Sequence, residues 1–451
     1  MSTNHGTEEK TTTAWRLLIN FLLYVSPVAL LTTVFPMVTP TINRYNLDGV
    51  PLIQVILAAS ITVPWLSQAA CLPLYRAIQM EHKKIADARE GLRIHAETLE
   101  HQLKRAEARA VRARMSEPQF QDITDLTAFT RNWLYLFFMT MPLVLLFAVP
   151  VALVLHWSPT AFGAFFVLGV LNIAFAQLLV IPNLAKNRII WFIAWLGYTL
   201  ALYFFPVIWF LPPLVGSLIL LVSLGKDLVH LLHFARIPIK DIALDALRGF
   251  FTGSIIWADK YMLFLVTGGE INVVAIYLSL IPCVIAYNYF FVVEADRVNA
   301  SIQHLWTIFD RLPYKGVQEE SSKALRTSNH AIRNSLMIYI ASAIVTGILM
   351  YIFLPQSYPL ALSGLVVAFL FVAVALLIYQ IEYMTMYVTV QLLSAAHLVL
   401  LFISFMILPN ETGYLPIIVG EAVLAFACYR VYRQAWAAPE YSLFWRRALA
   451  W

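Results

Sequence analysis

The sequence predicts an all-α protein that crosses a bilayer about twelve times. Three observations carry that prediction. Of 451 residues, 60% are hydrophobic and only 13% are charged, against about 45–50% and about 25% in soluble domains. The apolar residues fall into runs near the 20 or so residues that one helical crossing needs. Lys and Arg collect in alternate connections, as orientation relative to the cytoplasm requires. This composition excludes a water-soluble enzyme, a disordered tail protein and a nucleic-acid binder with a basic face.

Residues 1–13 are polar and read as a cytoplasmic tail. The first apolar run, from Ala14 to about Val38, is too long for a signal-peptide core and lacks a cleavage site before polar chain, so it is expected to stay as a span. Further spans are expected near 51–75, 132–156, 160–183, 188–205, 207–224, 247–267, 272–293, 335–354, 358–380, 385–408 and 414–433. Spans 1–2 thus occupy 14–78, spans 3–6 occupy 129–224, spans 7–8 occupy 247–293 and spans 9–12 occupy 335–433. Pro206, Pro212 and Pro213 make 188–224 either two helices or one broken one. Charge favours two, because losing one span there reverses every later connection. With twelve spans both termini are cytoplasmic, and the basic connections (76–131, 184–189, 225–248, 294–334, and beyond 429) share one side.

Two connections are long. Segment 79–128 is rich in Ala, Glu, Lys and Arg, with Ile85, Leu92, Leu99 and Ala106 seven apart and Ala96, Leu103 and Ala110 following. The spacing describes a long cytoplasmic helix with a narrow apolar seam, either solvated or used to dock a partner. Segment 225–246 is a linker between two six-helix halves, 294–334 a cytoplasmic helical loop, and 434–451 a cytoplasmic tail. Cys71, Cys283 and Cys428 share no metal or disulfide spacing.

Trp257-Ala258-Asp259-Lys260 lies inside the seventh span. Counted from Leu247 at 1.5 Å per residue, Asp259 sits roughly 18 Å deep, close to the midplane of a core about 30 Å thick. Ionisable groups there cost on the order of 2.5–3.5 kcal/mol each, so they face protein or water. Adjacent residues point about 100° apart, so each is expected to need a partner on another helix or access to water. Arg248 and Thr252 share the Asp259 face, and Gly249 and Gly253, on the Lys260 face, permit close helix approach. The pair reads either as a buried structural ion pair or as a cavity-lining site that binds substrate or a coupling ion.

Glu294, Asp296 and Arg297 close the eighth span as interfacial anchors or as a cytoplasmic mouth. Glu382 ends the tenth span. Glu421 reads as deep but isolated, and His397 as a hydrogen-bonded residue of the bundle. His230 and His233 share one helix face without further ligands, so no metal site is expected, nor any cofactor. Gly225-Lys226 lacks the rest of a phosphate loop, no Asp-x-Asp pair or nucleophile elbow appears, and filter and voltage-sensor patterns are missing. An enzyme or channel is therefore not expected.

The chain resembles the PelG-like family of exopolysaccharide transporters, within the MATE-like multidrug/oligosaccharidyl-lipid/polysaccharide flippase superfamily. Trp257-Ala258-Asp259-Lys260 is similar to that family's W-x-D-K element. Phe290-Phe291 with Glu294 and Asp296 is similar to its F-F-x-x-E-T-x-F-Y run. Twelve spans with a long connection after the eighth complete the likeness.

The resemblance implies two six-helix lobes around a central cavity. It also implies alternating access and export of a polysaccharide or lipid-linked glycan through the inner membrane of a bacterium. A glycosyltransferase or other secretion subunits are the implied partners, here through 79–128. Asp259, Lys260, Arg248 and Trp257 become the candidate substrate or coupling-ion site, Glu294, Asp296 and Arg297 the mouth, and Glu421 and His397 secondary candidates. A cation-coupled exporter of small molecules and a non-transporting scaffold of a secretion complex remain open.

Overall fold

The computed structural model describes residues 33–101, 124–185, 187–232, 237–309 and 311–449, with scattered positions between 19 and 31 and between 104 and 111. Among these the chain is helical throughout, apart from turns and one two-residue hairpin, Asn46–Leu47 paired with Val50–Pro51. Its Asp48-Gly49 turn takes positive φ at both residues, 47° and 88°, as a tight two-residue hairpin demands.

Helix α1 covers Thr33–Ile42, and before it only scattered positions of the first expected span are described. Helix α2, Leu52–His101, is one continuous 50-residue rod. At about 1.5 Å per residue it extends roughly 75 Å, far more than a bilayer core. The second span and the charged segment after it, as far as His101, are therefore a single helix. Along its seam Ala96 and Leu99 are buried. Ile85 and Leu92 are half-buried. Leu103 and Ala106 lie outside the described residues. Helix α3, Asp125–Thr140, is tied to the α2 extension where Glu81 accepts from Asn132 at 2.8 Å and Arg131 at 3.2 Å.

Helices α4 (Leu145–Val154), α5 (Pro159–Leu178) and the short α6 (Val180–Leu184) follow. Segment 188–224 forms two helices packed on each other, α7 (Arg188–Phe204) and α8 (Leu211–Ser223). A 3-10 segment, Gly225–Leu232, bends away from α8 by 103°. Helix α9, Ile239–Val266, carries the Trp257–Lys260 motif.

Helix α10 (Val273–Tyr289) runs through one π turn, Phe290–Glu294, into α11 (Ala295–Ile308). Helix α12, Tyr314–Phe353, is again one rod of 40 residues. Segment 294–334 is thus a helical hairpin continuous with the spans on either side. Helices α13 (Tyr358–Tyr383), α14 (Tyr387–Ile407), α15 (Tyr414–Ala435) and α16 (Pro439–Leu449) complete the chain.

Among the described residues, eight stretches are long and apolar enough to cross a membrane, or nine counting the bent α8 pair. Helix α9 has the length, about 42 Å at the standard rise, but carries charge at its centre. Exposure confirms the reading of the surface. On α15, Leu415, Val419, Val423 and Phe426 are each more than 60% exposed, while Ile417, Glu421, Cys428 and Tyr432 face inward. An apolar stripe of that size outside and polar groups inside suits hydrocarbon rather than water. The chain is a multi-pass membrane protein.

Helix α9 joins the two halves. It packs along α2 on one side and along α13 and α14 on the other. A Cβ on Gly249 would collide with the Gln68 backbone and stand 2.7 Å from Ala69 Cα. A Cβ on Gly253 would stand 2.9 Å from Gln68 Cβ and 3.0 Å from the Trp65 carbonyl oxygen. The two glycines let α2 and α9 touch backbone to backbone, as their spacing predicts.

Candidate functional site

A cavity of about 450 Å³ opens between the halves. Its walls come from α2 (Ser67, Gln68), α7 (Trp191, Trp195), α9 (Arg248 to Trp257), α10 (Tyr287, Asn288), the π turn and α13 (Tyr379, Glu382). The wall is aromatic because the π turn shifts register and turns Phe290 and Phe291 together onto Tyr379, at ring distances of 5.4 and 5.0 Å. Such turns favour functional sites.

One end of the cavity is an ion-pair chain. Arg248 reaches Glu382 at 2.6 Å and Asp245 at 3.6 Å, and Asp245 is also paired with Arg76. The Arg248 guanidinium lies 4.0 Å from the centre of the Tyr387 ring. Arg248 keeps 16% and Glu382 26% of its side-chain exposure, so this end communicates with the outside among the described residues. It is also the end bearing the basic connections. Sequence reasoning missed Asp245 and Arg76. Their signal was three charges, Asp241, Asp245 and Arg248, within two turns at a helix start.

Trp257 and Arg248 therefore line the cavity, and Asp259 and Lys260 do not. Both are buried, at 2% and 4% exposure. The expectation that neighbours in sequence do not pair is overturned: Lys260 Nζ lies 2.8 Å from Asp259 Oδ1. The four-carbon stem of lysine is long enough to fold back, and it also lets Nζ donate to the carbonyl of Ile256 at 2.8 Å. Among the described residues Oδ1 has no aligned hydrogen bond, so the contact is a charge pair outside hydrogen-bond geometry. Oδ2 accepts from the Tyr414 hydroxyl at 3.1 Å.

Tyr414 is the first residue of α15, so Asp259 lies level with the start of that helix, at the end away from the basic connections. Because Ile255 and Ile256 line the cavity, the pair sits about one helical turn behind its wall. Arg248 turns to Glu382 and is no partner of Asp259.

Nor is Glu421 isolated. His397 Nδ1 lies 2.6 Å from Glu421 Oε1, and neither side chain is exposed. The Phe371 ring stands between this pair and the other, 5.0 Å from the imidazole centre and 5.3 Å from Lys260 Nζ. A signal existed: Ser394, His397 and Ser404 recur on one face of α14, and a polar stripe on a membrane helix marks its inward side.

Glu294 is away from the cavity wall. It is 2% exposed, accepts from Tyr289 and Asn334 at 3.0 Å each, and lies 3.6 Å from Arg297. It ties the π turn to α12. Asp296 is exposed, and the Arg297 side chain is 62% exposed. His230 lies in the 3-10 segment, and His233 falls outside the described residues.

No family model matches this chain. No curated protein matches it either. Among solved structures, a crystal structure of MATE in complex with MaL6 aligns with 94% of this chain and 95% of its own, at 11% identity and a TM-score of 0.49. MATE in the straight conformation aligns over the same shares at 11% identity and a TM-score of 0.45. An outward-facing multidrug resistance MATE family transporter of the MOP superfamily does so at 12% and 0.44. What this chain does is read from its own residues.

Proposed function

We propose that this chain is an alternating-access transporter of the cytoplasmic membrane of a bacterium, moving a glycan or lipid-linked glycan outward. The observation that carries the reading is the aromatic cavity between the two halves, with Arg248 and Glu382 at its accessible end and Trp257 in its wall. A sugar ring has apolar C–H faces and a polar hydroxyl edge. Trp191, Trp195, Trp257 and Tyr379 offer flat apolar surface to the faces, while Ser67, Gln68, Thr252 and Asn288 offer hydrogen-bonding groups to the edge.

The Asp259–Lys260–Tyr414 cluster behind the wall is the coupling centre in this reading, because charge held inside a membrane protein marks ion pathways and relays. The likeness to PelG-like exporters supports a polysaccharide as cargo and secretion subunits as partners. The exposed α2 extension is the surface offered to them. Both termini lie on the cytoplasmic side, set by the basic connections.

The test measures surface polysaccharide in cells carrying Trp257→Ala or Arg248→Ala at matched membrane abundance. Output falling at least tenfold supports the reading, and unchanged output for both removes it. A second reading is favoured by the cavity volume, which lies within the roughly 300–1,000 Å³ of small-molecule sites. A small amphipathic cation would then be the cargo, with Glu382 meeting its charge. Efflux of a cationic dye from proteoliposomes, with polysaccharide output unchanged in both variants, decides for that reading.

A further inference from the structure

The inward stripes of α14 and α15 bring His397 and Glu421 together in the middle of the second half. The Nε2 atom of His397 lies 3.3 Å from the carbonyl oxygen of Ser254. A carbonyl only accepts, so Nε2 carries its hydrogen and donates it. The remaining proton of the pair then belongs to the 2.6 Å contact between Nδ1 and Oε1. Imidazolium with carboxylate and imidazole with carboxylic acid hold the same number of protons there, and both are neutral overall. Glu421 Oε2 is buried and has no hydrogen-bond partner among the described residues. That oxygen can accept one more proton.

We propose that His397 and Glu421 form a proton-binding site, distinct from the Asp259–Lys260 pair. Its role as a second coupling site, beside the Asp259–Lys260–Tyr414 cluster, rests on the transporter reading, whereas the proton site itself does not. The groups facing it are few. Helix α9 presents Asp259 and Lys260, which neutralise each other. Helix α13 presents the uncharged Phe371. Helix α15 adds Cys428 near Glu421, while its Tyr414 bonds Asp259 and the turn before it carries the exposed Glu411. The proton count of the His–Glu pair therefore sets the net charge of the buried cluster. The ammonium of Lys260 already serves as the resident cation of Asp259, so a sodium ion is not required.

Gaining or losing a proton puts a net charge into an apolar interior, and that is costly unless water reaches it. Both side chains are sealed here, at 0% exposure. Exchange must accompany a movement that opens α14 or α15. The Nε2 bond ends on Ser254, next to Ile255 in the cavity wall, so motion of α9 at the cavity is felt at the pair.

The experiment is infrared difference spectroscopy of the full chain in nanodiscs, titrated from about pH 4 to about pH 9, with sodium and with choline as the cation. The expected result is a carboxylic-acid band that titrates equally in both salts and vanishes in Glu421→Gln. In His397→Gln its midpoint moves by at least about one unit. Should Glu421→Gln fail to fold, the midpoint in His397→Gln and the wild-type salt comparison decide alone. A band untouched by these substitutions, no carboxyl titration in the folded protein, or a band suppressed by sodium overturns the proposal. A titrating pair in a chain that moves neither glycan nor dye under a pH gradient would sink the transporter reading and leave the proton site standing.

Discussion

Tyr414 donates its hydroxyl hydrogen bond to Asp259 Oδ2 at 3.1 Å, joining the start of α15 to the deep part of α9. The bond holds a buried carboxylate whose other oxygen meets Lys260. Charged acceptors make hydrogen bonds of about 1.5–3 kcal/mol. Tyr414→Phe is expected to lower the thermal midpoint of the purified protein. An unchanged midpoint would show that the bond contributes nothing.

Breaking the Asp259–Lys260 pair from one side leaves an unpaired buried charge, which costs about 3–5 kcal/mol. Lys260→Met alone should therefore unfold the protein at markedly lower temperature. Asp259→Asn combined with Lys260→Met should recover most of that loss, because both charges go together. Additive losses in the double variant would contradict a coupled pair.

The contact of α9 with α2 leaves no room at Gly249, where an added Cβ stands 2.7 Å from Ala69 Cα. Overpacking of this kind costs about 1–3 kcal/mol. Gly249→Ala is expected to reduce stability and folded yield more than Gly347→Ala, where a Cβ has 3.6 Å of space. Melting curves of the two purified variants check this ordering.

Glu294 is held by Tyr289, Asn334 and Arg297 away from the cavity. Glu294→Ala leaves the Asn334 amide without that acceptor and should destabilise by roughly 1–3 kcal/mol. Quenching of the cavity tryptophans by an added ligand should keep its midpoint. A shifted quenching midpoint with unchanged stability would restore Glu294 to the mouth of the pathway.

In the accessible end of the cavity, Arg248 makes an ion pair with Glu382 and stacks on Tyr387. Arg248→Lys keeps the charge but loses the planar fork and the stacking. It is expected to weaken ligand binding nearly as much as Arg248→Ala, measured by the same tryptophan quenching. Full retention by lysine would mean that only charge matters there.

Composition and periodicity alone established the helical membrane class, because hydrocarbon demands long apolar runs whose backbone groups bond internally. The described chain is helical across each expected span after the first, with 132–156 and 160–183 each divided between two helices, since the apolar signal for each lies within its own twenty or so residues. The glycines at 249 and 253 were legible for the same reason: their spacing is a local property. What lay beyond the sequence was which side chains meet. His397 and Glu421 are 24 positions apart and Asp259 and Tyr414 are 155 apart, so their contacts depend on how three helices pack. Even the adjacent pair escaped, because backbone directions say nothing of where a flexible lysine ends once its surroundings are dry. The cavity belongs to the same class: its wall draws on at least five elements, and only their packing decides that Trp257 faces space while Asp259, two residues on, faces Tyr414.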